Sequence, residues 1–332
     1  MTDSDPEGDW QGHSMDPEAR RARRAERARQ SRRRRLIGGA VVVAVLIAAG
    51  GAIAAIMSGG GNDSPTAAAT TAQATTSAPA VSSTAPATTT APETTTPSGD
   101  APTAEQQAAA VAKVREVGLP LYRTPGKGGD IVALTFDDGP GPYTQKTVAT
   151  LKQYGMRATF FLCGKSVVRY PDDPAIEATV AAMGDHSWNH PVLPDLPVAE
   201  MKSEISRTKA IVEKTSGAPV EVFRSPYGAR NATIDATAES MGMIQVLWSI
   251  ESGDSAGVGW EDMLRNLKAT LKPGDIVLFH ENRGQTQKVI NRLLPWMKKH
   301  GLRSVSVPEL LAMDPPSEAF LRHEAGRYIP AE

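Results

Sequence analysis

Cysteine is nearly absent: one residue, Cys163, stands in 332, so no intramolecular disulfide can form. A chain without disulfides must hold its fold by its core alone. Cys163 follows the apolar run Ala158 to Leu162, which predicts a buried, inert thiol. No Gly-x-Gly-x-x-Gly opens a helix after a strand, which counts against a dinucleotide site. No repeat of solenoid period is present. Net charge is also lacking, at -1 overall, but that figure averages unequal regions.

From Arg20 to Arg35 there are ten arginines and one glutamate. Leu36 to Met57 follows without a single charge, rich in Ala, Val, Ile and Gly. As a helix at ~1.5 Å per residue it would reach roughly 33 Å, enough for a bilayer core. Arginines before the span and none soon after place the N-terminus in the cytoplasm and the C-terminal bulk outside. The rival reading is a cleaved signal peptide, with small residues near Ala54-Ala55, but its apolar region usually runs only ~7–15 residues. The arginine run also invites a nucleic-acid reading; beside a membrane span it reads as a topology signal instead, and no nucleic-acid partner is expected.

The expected organisation is a basic cytoplasmic tail at 1–35, a transmembrane signal-anchor at 36–57, and an Ala/Thr/Pro-rich extracellular linker at 58–102. A helical stem at 103–129, a catalytic domain at 130–313 and a C-terminal tail at 314–332 follow. The linker carries only Asp63, Glu93 and Asp100 as charges and too little apolar content for a core, so disorder is expected. As a coil it would span about 35–40 Å, which suits a substrate fixed close to the cell surface.

Beyond Asp130, strand and helix signals alternate. Strands are expected at Ile131–Phe136, Ala158–Leu162, Glu221–Phe223, Ile244–Ile250, Asp275–Phe279 and Arg303–Val307. Helices are expected at about Thr144–Tyr154, Pro174–Ala182, Pro197–Ser216, Ala232–Met241, Trp260–Leu271 and Thr286–His300. Strands separated by helices imply parallel neighbours, because these need a crossover. The fold class is therefore α/β: a distorted or incomplete (β/α) barrel of about seven parallel strands, with a doubly wound open sheet as the alternative.

Two short runs carry the chemistry. Thr135-Phe136-Asp137-Asp138-Gly139-Pro140 puts two carboxylates where an apolar strand breaks into a turn. His186-Ser187-Trp188-Asn189-His190 spaces two imidazoles so that one helical turn would present both on one face. One carboxylate oxygen and two histidine nitrogens form a three-ligand set for a divalent ion with a position left for water. The other carboxylate then stands where a general base belongs. Either run alone has a bland explanation, a turn or a chance spacing. Their joint placement after strands, where loops converge, is the argument for one site.

These segments resemble the polysaccharide deacetylase family, also called the NodB homology domain or carbohydrate esterase family four, over roughly 130–313. Thr-Phe-Asp-Asp-Gly-Pro and His-Ser-Trp-Asn-His-Pro match its first two motifs, Arg224-Ser225-Pro226-Tyr227-Gly228 its third, and Val277-Leu278-Phe279-His280 its fifth. The resemblance implies that Asp138, His186 and His190 bind the ion, most often Zn2+, with Co2+ or Ni2+ as alternatives. Asp137 would be the general base, oriented by Arg224, whose charge keeps it ionised. The backbone N–H of Tyr227 would stabilise the oxyanion, Leu278 would line the acetyl pocket, and His280 would protonate the departing amine.

The fourth motif departs from the family's Asp-x-x-Asp-Trp, reading Glu251-Ser252-Gly253-Asp254-Ser255. Glu251 is then expected to tune His280, and Trp188, Trp248 or Trp260 to replace the missing wall. The implied function is removal of N-acetyl groups from a cell-wall polysaccharide, peptidoglycan amino sugars foremost, by an enzyme anchored in the cell membrane. An O-acetyl esterase and a non-catalytic glycan-binding protein are the alternatives.

Overall fold

The computed structural model describes residues 101–328. The arginine run, the 36–57 span and nearly all of the linker lie outside them, as do the last four residues. Among the described residues no helix is long and apolar enough to cross a membrane.

The chain enters through helix α1 (Ala104–Val117). Thr103 and Gln106 form a reciprocal capping box at its start, and Gly118, in the left-handed region, ends it. Strand β1 (Ile131–Gly139) is the centre of the sheet. Helix α2 (Thr144–Tyr154), β2 (Ala158–Leu162), α3 (Gly164–Arg169), α4 (Asp173–Ala178) and β3 (Ala181–Asp185) follow. Then come α5 (Val198–Ser216), β4 (Val220–Phe223), α6 (Ala232–Ser240), β5 (Ile244–Gln245) and β6 (Ile250–Glu251). Helix α7 (Trp260–Thr270), β7 (Ile276–His280), α8 (Gly284–Lys299), β8 (Arg303–Ser304), α9 (Val307–Met313) and α10 (Glu318–Tyr328) complete the order.

All strand pairings are parallel, in the order β5-β4-β3-β2-β1-β7-β6, with β8 beside β1. The sheet curls into an incomplete barrel, and β5 and β6 are edges that do not pair with each other. The strap from Leu121 to Thr124 crosses this seam. Leu121 donates to Gln245 O (2.9 Å) and accepts from Leu247 N–H (2.7 Å), while Thr124 N–H reaches Gly274 O (2.9 Å).

Alternation along β1 sorts two cores. Val132, Leu134 and Phe136 face the helical layer, where Phe136 stacks between Phe160 and Phe279 at centroid distances of 5.1 and 5.6 Å. Ile131 and Ala133 face the interior with Phe161, Val222, Val246 and Ile276, and α1, α9 and α10 add Val111, Val114, Leu310, Leu311 and Leu321 to that cluster. Residues 103–117, expected as a stem, thus form a helix that packs into this cluster. Asp137 lies in phase with the interior set, at the strand's carboxyl end, so the fold delivers it to the barrel mouth.

Three sequence expectations differ from the fold. The segment Pro174–Ala182 does not form one helix; α4 ends at Ala178 and β3 begins at Ala181. Within β3 the glycine gives Phe161 its room: a Cβ on Gly184 would lie 2.5 Å from that ring. Ile244–Ile250 is not one strand, because the carbonyls of Val246 and Leu247 turn to the Arg224 guanidinium instead of a sheet neighbour. Arg303–Val307 gives only two strand residues, since Ser306 and Glu309 make a capping box that starts α9.

Candidate active site

Arg224 is the post around which the barrel mouth is built. It follows β4, has no exposed surface, and its guanidinium stands 4.1 Å over the Phe161 ring. Nε donates to Val246 O (3.1 Å) and Nη2 to Leu247 O (2.9 Å). Nη1 donates to Thr135 Oγ1 and to Asp137 Oδ1, each at 2.7 Å. Burial pushes the Asp137 carboxyl above its usual range, against the pull of the Arg224 and His280 charges. A carboxyl raised in this way, yet fixed by a cation, has the basicity a general base needs.

Beside it, Asp138, His186 and His190 offer ligand atoms all within 4.8 Å of one another. Asp138 Oδ1 lies 3.3 Å from His190 Nε2 and 3.8 Å from His186 Nε2. Ligands ~2.0–2.1 Å from a tetrahedral zinc stand roughly 3.3–3.4 Å apart, a spacing the Asp138–His190 pair already has and to which the set would close around an ion. His186 is prepared for this role. Its Nδ1 faces Arg224 O at 2.7 Å, and a carbonyl only accepts, so Nδ1 carries the proton and Nε2 keeps a free lone pair. Burial, opposed by Asp138, pushes its pKa down to about 3, so the ring is neutral.

The two histidines do not share a helical turn, as their spacing suggested. They sit on a loop after β3 in which Ser187 (φ 64°) and His190 (φ 59°) are both left-handed. This bend, not helical periodicity, brings the rings to a 4.8 Å edge-to-face contact. Local hydrogen bonds hold it: Ser187 N–H to Asp185 Oδ1 (2.8 Å), His190 N–H to Ser187 Oγ (3.2 Å), and Asn189 to Glu204 twice. Asp138 is left-handed too (φ 71°), which turns it out of the strand toward the histidines. Cys163 lies beneath, its Sγ 3.7 Å from His186 O, and burial pushes its pKa well up, leaving it unreactive.

His280 pairs with Asp137 in the β1–β7 register and so faces the same mouth. Its acid partner is Asp254, not Glu251. Nδ1 contacts Asp254 Oδ1 at 2.8 Å, and the His280 backbone N–H donates to Oδ2 at 2.7 Å. Thr286 Oγ1 also donates to Oδ2, at 2.6 Å. Glu251 ends the two-residue edge strand β6 with its side chain exposed, and makes no such contact. The chain turns back through Gly253 (φ 86°), which swings the second acid of the segment, not the first, under the imidazole. Burial lowers the His280 pKa, but the Asp254 bond and the Asp137, Asp254 and Asp138 charges outweigh it and leave the pKa raised.

Tyr227 occupies a left-handed turn (φ 63°), its ring 68% exposed and edge-on to His190 at 4.5 Å. Leu278 is buried on the same face of β7 as His280, two residues earlier. Of the three tryptophans, Trp248 meets this region: it packs against Gly228 and lies 5.6 Å from Arg224. Trp188 covers Gly164 with Arg207 above it, and Trp260 lies under Arg292.

Behind the Asp138 turn is a group that the sequence did not announce. Glu281 accepts from Thr144 Oγ1 and lies so close to Gly139 that a Cβ there would meet its Oε2. Fully buried Glu177 abuts it, and among the described residues neither forms an ion pair with a cation. Burial and mutual repulsion raise Glu177 well above its usual range, and burial pushes Glu281 up to about 7. Glu177 lies nine residues before His186 and Glu204 fourteen after His190, outside the motifs, and no local pattern points to them.

The model of the polysaccharide deacetylase family matches residues 124–246. A peptidoglycan-N-acetylglucosamine deacetylase of Bacillus cereus is 36% identical over 191 residues, covering 54% of this chain and 88% of its own. A solved peptidoglycan N-acetylglucosamine deacetylase superposes with a TM-score of 0.56 at 27% identity, over 63% of this chain and 99% of its own. A CE4 family pseudoenzyme carrying mutations that restored activity superposes at 0.54 and 26% identity, over 58% of this chain and 71% of its own.

Proposed function

Because this chain belongs to the polysaccharide deacetylase family, we propose that it removes N-acetyl groups from the amino sugars of peptidoglycan by metal-dependent hydrolysis. One observation carries the reading: Asp138, His186 and His190 converge within 4.8 Å while Asp137, tied to Arg224, remains as a base beside them. The relatives' names supply the substrate class, and the uncharged span after the arginine run supplies a position at the cell membrane.

A divalent ion in the three-ligand set, zinc by its mixed nitrogen and oxygen donors and with cobalt or nickel as alternatives, supplies Lewis acidity toward water and the acetamide carbonyl. Asp137 Oδ2 lies 3.6 Å from His186 Nε2, at the edge of that set, and takes the proton of the attacking water. Arg224 keeps Asp137 in place and opposes the upward push of burial on its carboxyl. The Tyr227 N–H, presented by its left-handed turn, donates to the developing oxyanion. His280, whose pKa is raised by the Asp254 bond and the neighbouring carboxylates, gives its proton to the amine nitrogen as the C–N bond breaks. Acetate and a free amine leave, with water consumed.

The test is acetate release from peptidoglycan fragments by the full-length chain, before and after chelation, and with Asp137→Asn. Chelation should abolish release, and Asp137→Asn should slow it by roughly 10²–10⁴-fold, the usual worth of a general base. Release that survives both treatments refutes the mechanism. An O-acetylated glycan at equal concentration distinguishes amide from ester as the favoured bond.

A further inference from the structure

Glu204 is an unusual carboxylate. It lies on α5, 9% exposed, and forms no ion pair among the described residues. A buried carboxylate is costly unless its oxygens are satisfied. Both oxygens are spent on a single residue: Oε2 accepts from the Asn189 backbone N–H at 2.7 Å, and Oε1 from Asn189 Nδ2 at 2.8 Å. Asn189 directly precedes the ligand His190.

The loop that receives this clamp needs one. Its two left-handed residues, Ser187 (φ 64°) and His190 (φ 59°), hold a backbone conformation that L-residues with a Cβ disfavour. Asp185 fixes its beginning through the Ser187 N–H, and the Ser187 hydroxyl accepts from His190 N–H at a long 3.2 Å. His190 itself is partly exposed, its ring meeting His186, Tyr227 and Asp138. The charge-assisted pair from Glu204 is the strongest tie on the His190 side of the loop.

We propose that Glu204 is a positioning residue for the metal centre: by gripping Asn189 at both its backbone and its side chain, it sets His190 Nε2 3.3 Å from Asp138 Oδ1 and so tunes metal affinity. The inference rests on the metal-centre reading above. Partners that orient a ligand from outside the coordination sphere typically change metal affinity by roughly 10- to 100-fold.

The measurement is a Co2+ titration of the full-length chain, followed by visible absorption, alongside thermal unfolding of the metal-free protein. Glu204→Ala should raise the Co2+ Kd by roughly 10- to 100-fold and alter the cobalt band envelope, because His190 loses its fixed angle. Glu204→Gln should stay near the parent Kd, since its amide oxygen accepts the Asn189 N–H and its amide nitrogen donates to a flipped Asn189 side chain. Asn189→Asp, at an exposed site that should not endanger folding, sets carboxylate against carboxylate and should weaken Co2+ as Glu204→Ala does. A folded Glu204→Ala or Asn189→Asp chain with parent affinity and spectrum overturns the proposal, as does a Glu204→Gln chain as weak as the alanine variant. Parent protein that binds no Co2+ overturns the metal-centre reading itself, and this inference with it; equal binding by parent and variants overturns this inference alone.

Discussion

Replacing Asp254 by Asn separates the acid that holds His280 from the acid that the sequence offered for that task. The carboxylate accepts from the His280 ring at 2.8 Å and from its backbone at 2.7 Å, deep under the imidazole. A hydrogen bond to a charged group contributes about 1.5–3 kcal/mol. At about 1.4 kcal/mol per pKa unit, losing the ring bond should lower the His280 pKa by roughly 1–2 units. The alkaline limb of kcat/KM reports the general acid in the free enzyme, so it should move that far toward lower pH. Glu251→Gln should leave the limb where it is, since the Glu251 side chain is exposed. Stability gives a second reading. His280 is raised above its ordinary 6.5, so its contribution is complete below 6.5 and is lost as pH rises through the folded value. Asp254 is pushed up by burial but pulled lower overall by His280 and Thr286, so its contribution is present above 3.8 and is lost as pH falls through a lower folded value. Asp254→Asn should therefore destabilise most between about pH 4 and 6.5, and less at pH 9. An unmoved alkaline limb in Asp254→Asn, or a moved one in Glu251→Gln, refutes the assignment.

Two further perturbations test the turn that carries Asp138. Gly139→Ala forces a Cβ into the Glu281 carboxyl and should cost roughly 1–3 kcal/mol, lowering Tm by about 2–4 °C for each kcal/mol; an unchanged Tm refutes the close packing. Glu177 and Glu281 are both raised, so the folded state holds protons that the unfolded chain has released, and stability should fall as pH rises from 4.5 toward about 7. Glu177→Gln removes one of these protons from the balance and should flatten the decline of Tm between pH 5 and 8; a slope equal to the parent's refutes the reading of Glu177 as a carboxyl protonated by burial.

Much of the fold was legible because its signals are local. The apolar run from Ile131 and the spacing of helices between β-branched runs each express a backbone preference within a few residues. The strand at Ala181–Asp185 was not, because its Gly184 answers to Phe161, a residue on another strand. The break between β5 and β6 was hidden for the same reason, since Arg224 takes its carbonyls from outside. At the site, the motifs named which residues would gather, and Asp138, His186 and His190 do gather, but by left-handed bends that histidine spacing cannot encode. Asp254 was in view beside Glu251; only the direction of the Gly253 turn decides between them. Glu204 and Glu177 act across 15 and about 100 residues of chain, where a single sequence carries no signal.

The strap from Leu121 to Thr124 has a practical bearing on where this protein can be cut. A version trimmed to start at Asp130 would retain every motif and still lose the amides and carbonyls that cap β5 and reach Gly274. Two raw sheet margins would then face water, an invitation for neighbouring copies to zip together. Soluble, singly dispersed protein should therefore demand a start ahead of Thr103, and a shorter version that stays dispersed would show the strap to be dispensable.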